Sequence, residues 1–146
     1  MRINDVLKGK QSADGDAVVT ITPDASVREL LALLARHNVG ALIVSVDGSS
    51  VDGIVSERDV VRKLHTGDAI LDGPVSAIMT TQVLSCEPDA TVDSLMVLMT
   101  EHRIRHVPVV TAGRLTGIIS IGDVVKSRMA ELEFERDQLD SYVHQS

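Results

Sequence analysis

The sequence predicts a mixed α/β (α+β) fold in which two copies of a β-α-β-β-α unit pack about a pseudo-two-fold axis and an extended helix ends the chain. Two pairs of matching segments indicate the duplication. Residues 23–27 (PDASV) recur as 88–92 (PDATV), and residues 53–61 (GIVSERDVV) recur as 117–125 (GIISIGDVV). The offsets are 65 and 64 residues (88 − 23 and 117 − 53), so the copies keep their internal spacing. A unit of this length cannot bury its apolar face alone, and we expect the copies to pack on each other.

Each copy is expected to follow the same order of elements. It begins with a short apolar strand, at 18–21 in the first copy and at 83–85 in the second. A Pro-Asp-Ala-Ser/Thr turn then caps a helix, because apolar residues follow the turn at helical spacing. Two β-rich runs joined by a glycine-containing turn, and then a second helix, complete the unit. The first helices are predicted at 27–37 and 92–102, and the paired strands at 41–46, 51–56, 106–110 and 115–120.

The repeats divide the chain into 1–74 and 75–146, which together would form one module. Glycine and proline residues in 67–74 break the helical pattern between the two parts. The first copy carries about seven extra residues near its start, and this polar stretch, 9–15, is expected to be a surface loop.

The last helix is predicted from 124 to about 143. Its apolar residues repeat with alternating spacings of four and three, and Arg136 interrupts them. This seam is shorter than the three to four heptads of a free coiled coil, so the helix would pack on its own domain or on the equivalent helix of a partner. We expect a homodimer. The apolar residues of the seam are Val125, Met129, Leu132, Leu139 and Val143.

Composition limits the classes of function. With 146 residues, 44% of them apolar, the chain can build a core, and it has neither a membrane-spanning run nor a signal peptide, so we expect a cytoplasmic protein. A net charge of −7 argues against nonspecific binding to nucleic acid or to a membrane. The single cysteine, Cys86, excludes an internal disulfide and a multi-cysteine metal site within one chain. Phe134 and Tyr142 are the only aromatic residues, so aliphatic side chains would have to hold any planar ligand.

A Ser-x-x-Asp motif follows a strand and opens a helix in each copy, at Ser56–Asp59 and Ser120–Asp123. Two interpretations stay open for it. In a capping box, the serine and the acid three residues later satisfy backbone groups at the helix start. Alternatively, the helix N-terminus receives a phosphate and the aspartate accepts hydrogen bonds from the vicinal hydroxyls of a ribose. The second interpretation predicts a ribonucleotide site.

Two segments of the second copy resemble the sequence motifs of CBS (cystathionine-β-synthase-type) domains. They are His106-Val107-Pro108-Val109-Val110 and Gly117-Ile118-Ile119-Ser120-Ile121-Gly122-Asp123. The two repeats, over nearly the whole chain, resemble a tandem CBS pair, or Bateman module, of the small stand-alone bacterial type. The resemblance implies a non-catalytic regulatory module for energy sensing. Such a module would bind an adenine nucleotide (AMP, ATP or NAD) in clefts between the repeats, and would signal to an unidentified regulated protein by conformational or oligomeric change.

The resemblance also implies roles for individual residues. Asp123 would hold the ribose, Ser120 would contact phosphate or ribose, and Val107 and Pro108 would form the adenine wall. The first copy lacks the proline, so two nonequivalent sites are expected. The ligand-binding candidates are Arg103, Arg105, His106, Val107, Pro108, Ser120 and Asp123 in the second copy, with Gly40, Ala41, Ser56, Arg58 and Asp59 in the first.

Other classes of function have less support. The chain has no G-x-S-x-G elbow, no P-loop and no evident Ser-His-Asp arrangement, so we expect neither catalysis nor a catalytic cofactor. His102 and His106 are four residues apart, but the helix should end between them, so no metal site is predicted. The remaining alternative is a protein-interaction adaptor with a vestigial nucleotide site. Its docking surface would be the acidic last helix, with Glu131, Glu133, Glu135, Asp137 and Asp140.

Overall fold

The computed structural model describes residues 1–10 and 18–144. The first repeat follows the predicted order of elements: β1 is Thr20–Ile21, α2 is Val27–His37, β2 is Ala41–Val44, β3 is Gly53–Ser56 and α3 is Glu57–Leu64. Helix α1, Ile3–Lys10, precedes it. Two 3₁₀ helices, Asp68–Asp72 and Val75–Ala77, follow it. The second repeat contains α4 (Val92–His102), β4 (His106–Thr111), β5 (Arg114–Ser120) and α5 (Ile121–His144).

The sheet of the first repeat has the order β1-β2-β3. Strand β1 is parallel to β2, and β2 is antiparallel to β3, with Ala41 opposite Ser56 in the register. Every residue of β2 is buried, as expected for a central strand. Helix α2 buries one apolar face, formed by Val27, Leu30 and Leu34, in the same core as β2. These contacts place the end of β3, and therefore Ser56, on a rigid support.

Helices α2 and α4 begin and end at the predicted residues. Ser26 and Thr91 cap them, since each hydroxyl oxygen accepts a hydrogen bond at 3.1 Å from the backbone N–H three residues later. Each helix stops at a left-handed residue, Asn38 or Arg103. The turn signals and the apolar spacing therefore define both helices locally.

Several other predicted boundaries are corrected. No strand forms at 83–85, although these residues are described. The nearby extended pairing involves Thr80 instead, whose backbone exchanges two 2.9 Å hydrogen bonds with Ile54 of β3. Helix α1 continues through Gly9 and Lys10, so these two residues are not part of a loop, and 11–15 lie outside the described residues.

Strands β2 and β3 are shorter than predicted because side chains organise the turn between them. The Asp47 carboxylate accepts 2.8 Å hydrogen bonds from the backbone N–H groups of Ser49 and Ser50. The Asp52 carboxylate accepts one at 2.9 Å from the N–H of Val46. Backbone groups bound in this way are not available to a strand ladder, so β2 ends at Val44.

The Asp47 turn predicts a pH dependence of stability. Hydrogen bonds from Ser49 and Ser50 lower the pKa of Asp47 from 3.8 to about 2. A carboxyl group whose pKa is lower in the folded state than in the unfolded state stabilises the protein at any pH above the unfolded-state pKa. This stabilisation is lost as the pH falls through the folded-state pKa. We therefore expect Asp47→Ala to lower stability at neutral pH and to cost progressively less between pH 3.8 and 2. Urea unfolding of both proteins across that range measures the difference, and a constant difference would contradict the assignment.

The contacts divide the described chain into two compact units. One contains α1 together with 86–107 and the chain from 118 onward, and the other contains 18–85 with 108–117. Helix α1 joins the second repeat through backbone hydrogen bonds of 2.8 Å from Ile3 N to the Ala90 carbonyl and from Asn4 N to the Pro88 carbonyl. The predicted division into 1–74 and 75–146 follows the repeat and stays a prediction, whereas these units group α1 with α4 and α5.

Candidate functional site

The second Ser-x-x-Asp corner lies where β5 meets α5. The backbone N–H of Ser120 donates to Asp123 Oδ2 at 2.9 Å, and the backbone N–H of Asp123 donates to Ser120 Oγ at 3.1 Å. The N–H of Ile121 donates to the Arg105 carbonyl at 2.8 Å. This last bond ties the chain that enters β4 to the first turn of α5.

The first corner, between β3 and α3, repeats this arrangement. Ser56 N donates to Asp59 Oδ2 at 2.8 Å, and Asp59 N donates to Ser56 Oγ at 3.3 Å. The N–H of Glu57 donates to the Gly40 carbonyl at 3.0 Å, as Ile121 does to Arg105. The capping-box interpretation is therefore confirmed at the first corner, and the second has the same reciprocal bonds.

Capping leaves part of each corner available to a ligand. Gly122 is the second residue of α5 and Arg58 is the second residue of α3, where the backbone N–H has no partner within the helix itself. All hydrogen bonds that described residues make to the Asp123 carboxylate reach Oδ2. Each corner therefore presents backbone N–H groups of a helix N-terminus, and Oδ1 of Asp123 accepts no hydrogen bond from a described residue. Such a corner can bind one oxygen of an anion and a hydroxyl donor.

Lys10 is a member of the second corner that the sequence analysis missed. Its Nζ donates to Asp123 Oδ2 at 2.7 Å and to the Ile118 carbonyl at 2.8 Å. Burial would raise the pKa of Asp123, but the hydrogen bonds from Lys10 and Ser120 and the charge of Lys10 outweigh burial and lower it. No local pattern marks a residue 113 positions away as a partner. At the first corner, Asp59 forms no ion pair with any residue that the structure describes.

The predicted wall residues lie in β4 and β2. Val107 is fully buried, Pro108 is buried and His106 is half-buried. Val107 shares a compact unit with Asp123, and Pro108 belongs to the other unit. In the first repeat, Ala41 is buried beside Ser56 in the strand register. A buried apolar residue of β2 therefore lies next to the Ser-x-x-Asp motif of the first repeat.

The predicted cations remain at the surface. Arg103, Arg105 and Arg58 are exposed, and none forms an ion pair with a described residue. The backbone of Arg105 is fixed at the second corner by Ile121, and that of Arg58 is in the first turn of α3. Arg103 caps α4 in the left-handed conformation, with φ of 54°. These guanidinium groups are free to meet an anionic ligand.

Cys86 is half-buried, and burial raises the pKa of its thiol from 9.0 to about 11. The thiolate is the reactive form, so at pH 8 its fraction should be about 100-fold below that of an ordinary thiol. We expect iodoacetamide to alkylate the folded protein slower than a cysteine peptide by about that factor, and urea to remove the difference. Mass spectrometry follows both reactions, and equal rates in the folded state would contradict the burial of this thiol.

Across 1–10 and 18–144, His, Cys, Asp and Glu side chains do not assemble into a group of three that could hold a metal ion. In the same ranges, no helix combines the length and apolar character needed to cross a membrane.

Comparison with known proteins gives consistent matches. A sequence model of the CBS domain matches residues 15–66 and 75–130. "CBS domain-containing protein CBSX3, mitochondrial" of Arabidopsis thaliana is 37% identical over 97% of this chain and 71% of its own length. "CBS domain-containing protein YhcV" of Bacillus subtilis is 34% identical over 77% of this chain and 80% of its own.

Solved structures resemble the fold closely. The CBS-domain containing protein ATU1752 from Agrobacterium tumefaciens is 45% identical, with a TM-score of 0.81 over 88% of this chain and 99% of its own. The CBS domain pair of protein MJ0100, solved in complex with 5′-methylthioadenosine and S-adenosyl-L-methionine, is 24% identical, with a TM-score of 0.74 over 86% of this chain and 98% of that one. At this identity, the second likeness concerns the fold alone.

Proposed function

Since this chain belongs to the CBS-domain family and carries the domain twice, we propose that it is a non-catalytic regulatory module that binds adenine nucleotides. The observation that carries the proposal is the corner at Asp123. There, a partly exposed carboxylate and the N–H of Gly122 meet at the start of a 24-residue helix. Ribose hydroxyls are donors and phosphate oxygens are acceptors, so a ribonucleotide carries partners for both a carboxylate oxygen and a helix N-terminus.

The base would rest on aliphatic surface. The body of each repeat has no aromatic side chain, so adenine would lie against aliphatic side chains and backbone groups. AMP, ATP and NAD share the adenosine part that these groups would recognise. The MJ0100 pair, a structure of the same fold, was solved with two adenosyl compounds, which agrees with an adenosine-sized ligand.

The two corners are expected to bind different chemical groups. The second has Lys10 on its carboxylate and Arg105 beside it, whereas the first has Arg58 on the helix start and no cation on Asp59 among the described residues. A guanidinium at the helix start favours phosphate. We therefore propose that the second corner is the adenosine site and that the first takes an additional phosphate-bearing group.

Isothermal titration with AMP, ATP and NAD tests the proposed function. We expect binding of at least one of them with a Kd in the micromolar to submillimolar range, about −8 to −5 kcal/mol. Incubation of the same mixtures should release neither phosphate nor nicotinamide. Absence of binding by all three nucleotides to folded protein would overturn the proposal, and product release would replace it with an enzymatic one.

We further propose a homodimer formed through α5. Every residue from Leu132 to His144 is exposed, and a lone helix of this length is marginal in water, so a partner would stabilise it. Charge is distributed unevenly along α5: Lys126 and Arg128 lie near its start, whereas four acids and one cation, Arg136, lie beyond Leu132. Antiparallel pairing of two α5 helices would place opposite charges beside each other. The acids in question are Glu133, Glu135, Asp137 and Asp140.

A charge in the seam should dissociate this dimer. We expect Leu132→Asp with Leu139→Asp to yield monomer at micromolar concentration, because two carboxylates would be buried without partners. The matched control, Gln138→Asp with Ser141→Asp, adds the same charge on another face of the helix and should leave the dimer intact. Sedimentation velocity distinguishes these results, and equal masses for the two double variants would contradict the α5 interface.

An adaptor role is the second candidate, and the exposed acidic part of α5 favours it. Under this proposal, a basic protein surface would bind α5 whether or not nucleotide binds. A partner retained by an Asp123→Ala, Asp59→Ala variant would support the adaptor. Loss of the partner with the nucleotide would favour the regulatory module, for which we propose a cytoplasmic location, an energy-sensing role and an unidentified regulated protein.

A further inference from the structure

The two oxygens of the Asp123 carboxylate differ in the hydrogen bonds that they accept, and this difference bears on how a ribose could bind there. Oδ2 accepts hydrogen bonds from Lys10 Nζ at 2.7 Å and from Ser120 N at 2.9 Å, which uses both of its in-plane lone pairs. The two oxygens of a carboxylate match the two hydroxyls of a cis diol, and a ribose held in that way needs a lone pair on each oxygen. Ser120 N is part of the helix cap, so Lys10 is the partner that can leave.

We propose that Lys10 competes with the ribose for Asp123, so that binding of the diol displaces the Lys10 ammonium from Oδ2. This inference rests on the proposed nucleotide function of the same corner. The ion pair is partly exposed, with side-chain exposures of 37% for Lys10 and 21% for Asp123, so the ammonium can move into water. The lowered pKa of Asp123 agrees with a carboxylate held in its charged form by this pair.

Displacement of Lys10 would also affect helix α1. Lys10 is the last residue of α1, whose other end is held in the same compact unit by the buried Ile3 and by its hydrogen bond to Ala90. The Lys10 side chain also binds the Ile118 carbonyl, so its release breaks two hydrogen bonds between α1 and the β5–α5 corner. Ligand occupancy at Asp123 would therefore loosen the C-terminal turn of α1, a coupling that the first corner lacks among its described residues.

Adenosine is the sharpest probe, because it carries the diol without a phosphate that could recruit Lys10. We expect Lys10→Met to bind adenosine about three- to tenfold more tightly than the unaltered protein, in line with the modest strength of a partly exposed ion pair. Lys8→Met is the matched control, since Lys8 lies on the same helix and makes no ion pair with a described residue. Its affinity should change by less than about twofold.

Two further arms test the mechanism. With 2′,3′-dideoxyadenosine, Lys10→Met should gain nothing, because no diol competes for Oδ2. Added salt should tighten adenosine binding by the unaltered protein more than by Lys10→Met, because it screens only the pair that is present. Backbone amide exchange of Gly9 and Lys10 should accelerate when adenosine binds.

The outcomes separate this inference from the function on which it rests. Equal adenosine affinities for Lys10→Met and the unaltered protein would overturn the competition and leave the nucleotide site standing. Weaker binding by Lys10→Met would also overturn it, since Lys10 would then be a ligand contact. Absence of binding of adenosine, AMP, ATP and NAD by both folded proteins would overturn the proposed function itself, and Lys10→Gln guards against a defect specific to methionine.

Discussion

Replacing Asp123 with alanine is expected to weaken AMP binding by about 100-fold, or about 2.7 kcal/mol. The carboxylate is the group proposed to accept the ribose hydroxyls, and hydrogen bonds to a charged acceptor contribute about 1.5–3 kcal/mol each. The variant also frees Lys10, which would remain near the ligand as an unpaired cation. Isothermal titration with AMP and with 2′-deoxy-AMP measures the effect, and the deoxy ligand should lose less affinity on mutation.

The control for this prediction addresses the second role of Asp123. Its carboxylate also caps α5, and removal of a cap destabilises a protein by about 0.5–2 kcal/mol. Asp59→Ala removes the equivalent cap of α3 and should cost similar stability, but it should leave the adenosine site of the second repeat in place. Equal losses of AMP affinity in both variants would point to a general folding defect, and unchanged affinity in Asp123→Ala would refute the ribose assignment.

Replacing Gly53 with valine is expected to lower the free energy of unfolding by about 2–4 kcal/mol. A Cβ at Gly53 would lie 2.8 Å from Met79 Sδ and 3.0 Å from the Thr80 carbonyl oxygen. The methionine can rotate away, but the carbonyl cannot, because it accepts the 2.9 Å hydrogen bond from Ile54 N. Valine would therefore separate β3 from Thr80 and break their paired hydrogen bonds.

Gly73→Ala provides the comparison. Its new Cβ would lie 3.4 Å from the Ile70 carbonyl oxygen, which is ordinary contact, and the residue has a φ of −82°. This variant should stay within about 0.5 kcal/mol of the unaltered protein. Urea unfolding monitored by circular dichroism gives both values. A Gly53→Val protein as stable as Gly73→Ala would show that Thr80 moves without cost.

Features with local signals could be predicted from the sequence. Helices α2 and α4 match their predicted ranges because apolar spacing, a hydroxyl cap and a left-handed end are all encoded within about a dozen residues. The Ser-x-x-Asp corners are equally local, and both of their proposed uses can coexist, since the cap uses Oδ2 of Asp123 and leaves Oδ1.

Features that depend on distant residues could not be predicted. Residues 83–85 have the composition of a strand, but a strand forms only where it pairs with a partner edge, and the sheet of the second repeat contains β4 and β5 alone among the described strands. Lys10 is hidden for the same reason, because its partners Ile118 and Asp123 follow more than 100 residues later. Its polar surroundings in the sequence are typical of a loop.

The docking of α1 onto the second repeat affects the order of folding. During synthesis, α1 emerges first, yet the carbonyls that hold it belong to Pro88 and Ala90, and the carboxylate that binds its last residue belongs to Asp123. Closing loops of this length is slow compared with forming a helix. The core of 18–85 can therefore assemble on the ribosome before α1 packs on the second repeat. Helix α1 can make its contacts with that repeat only after α5 has begun to form.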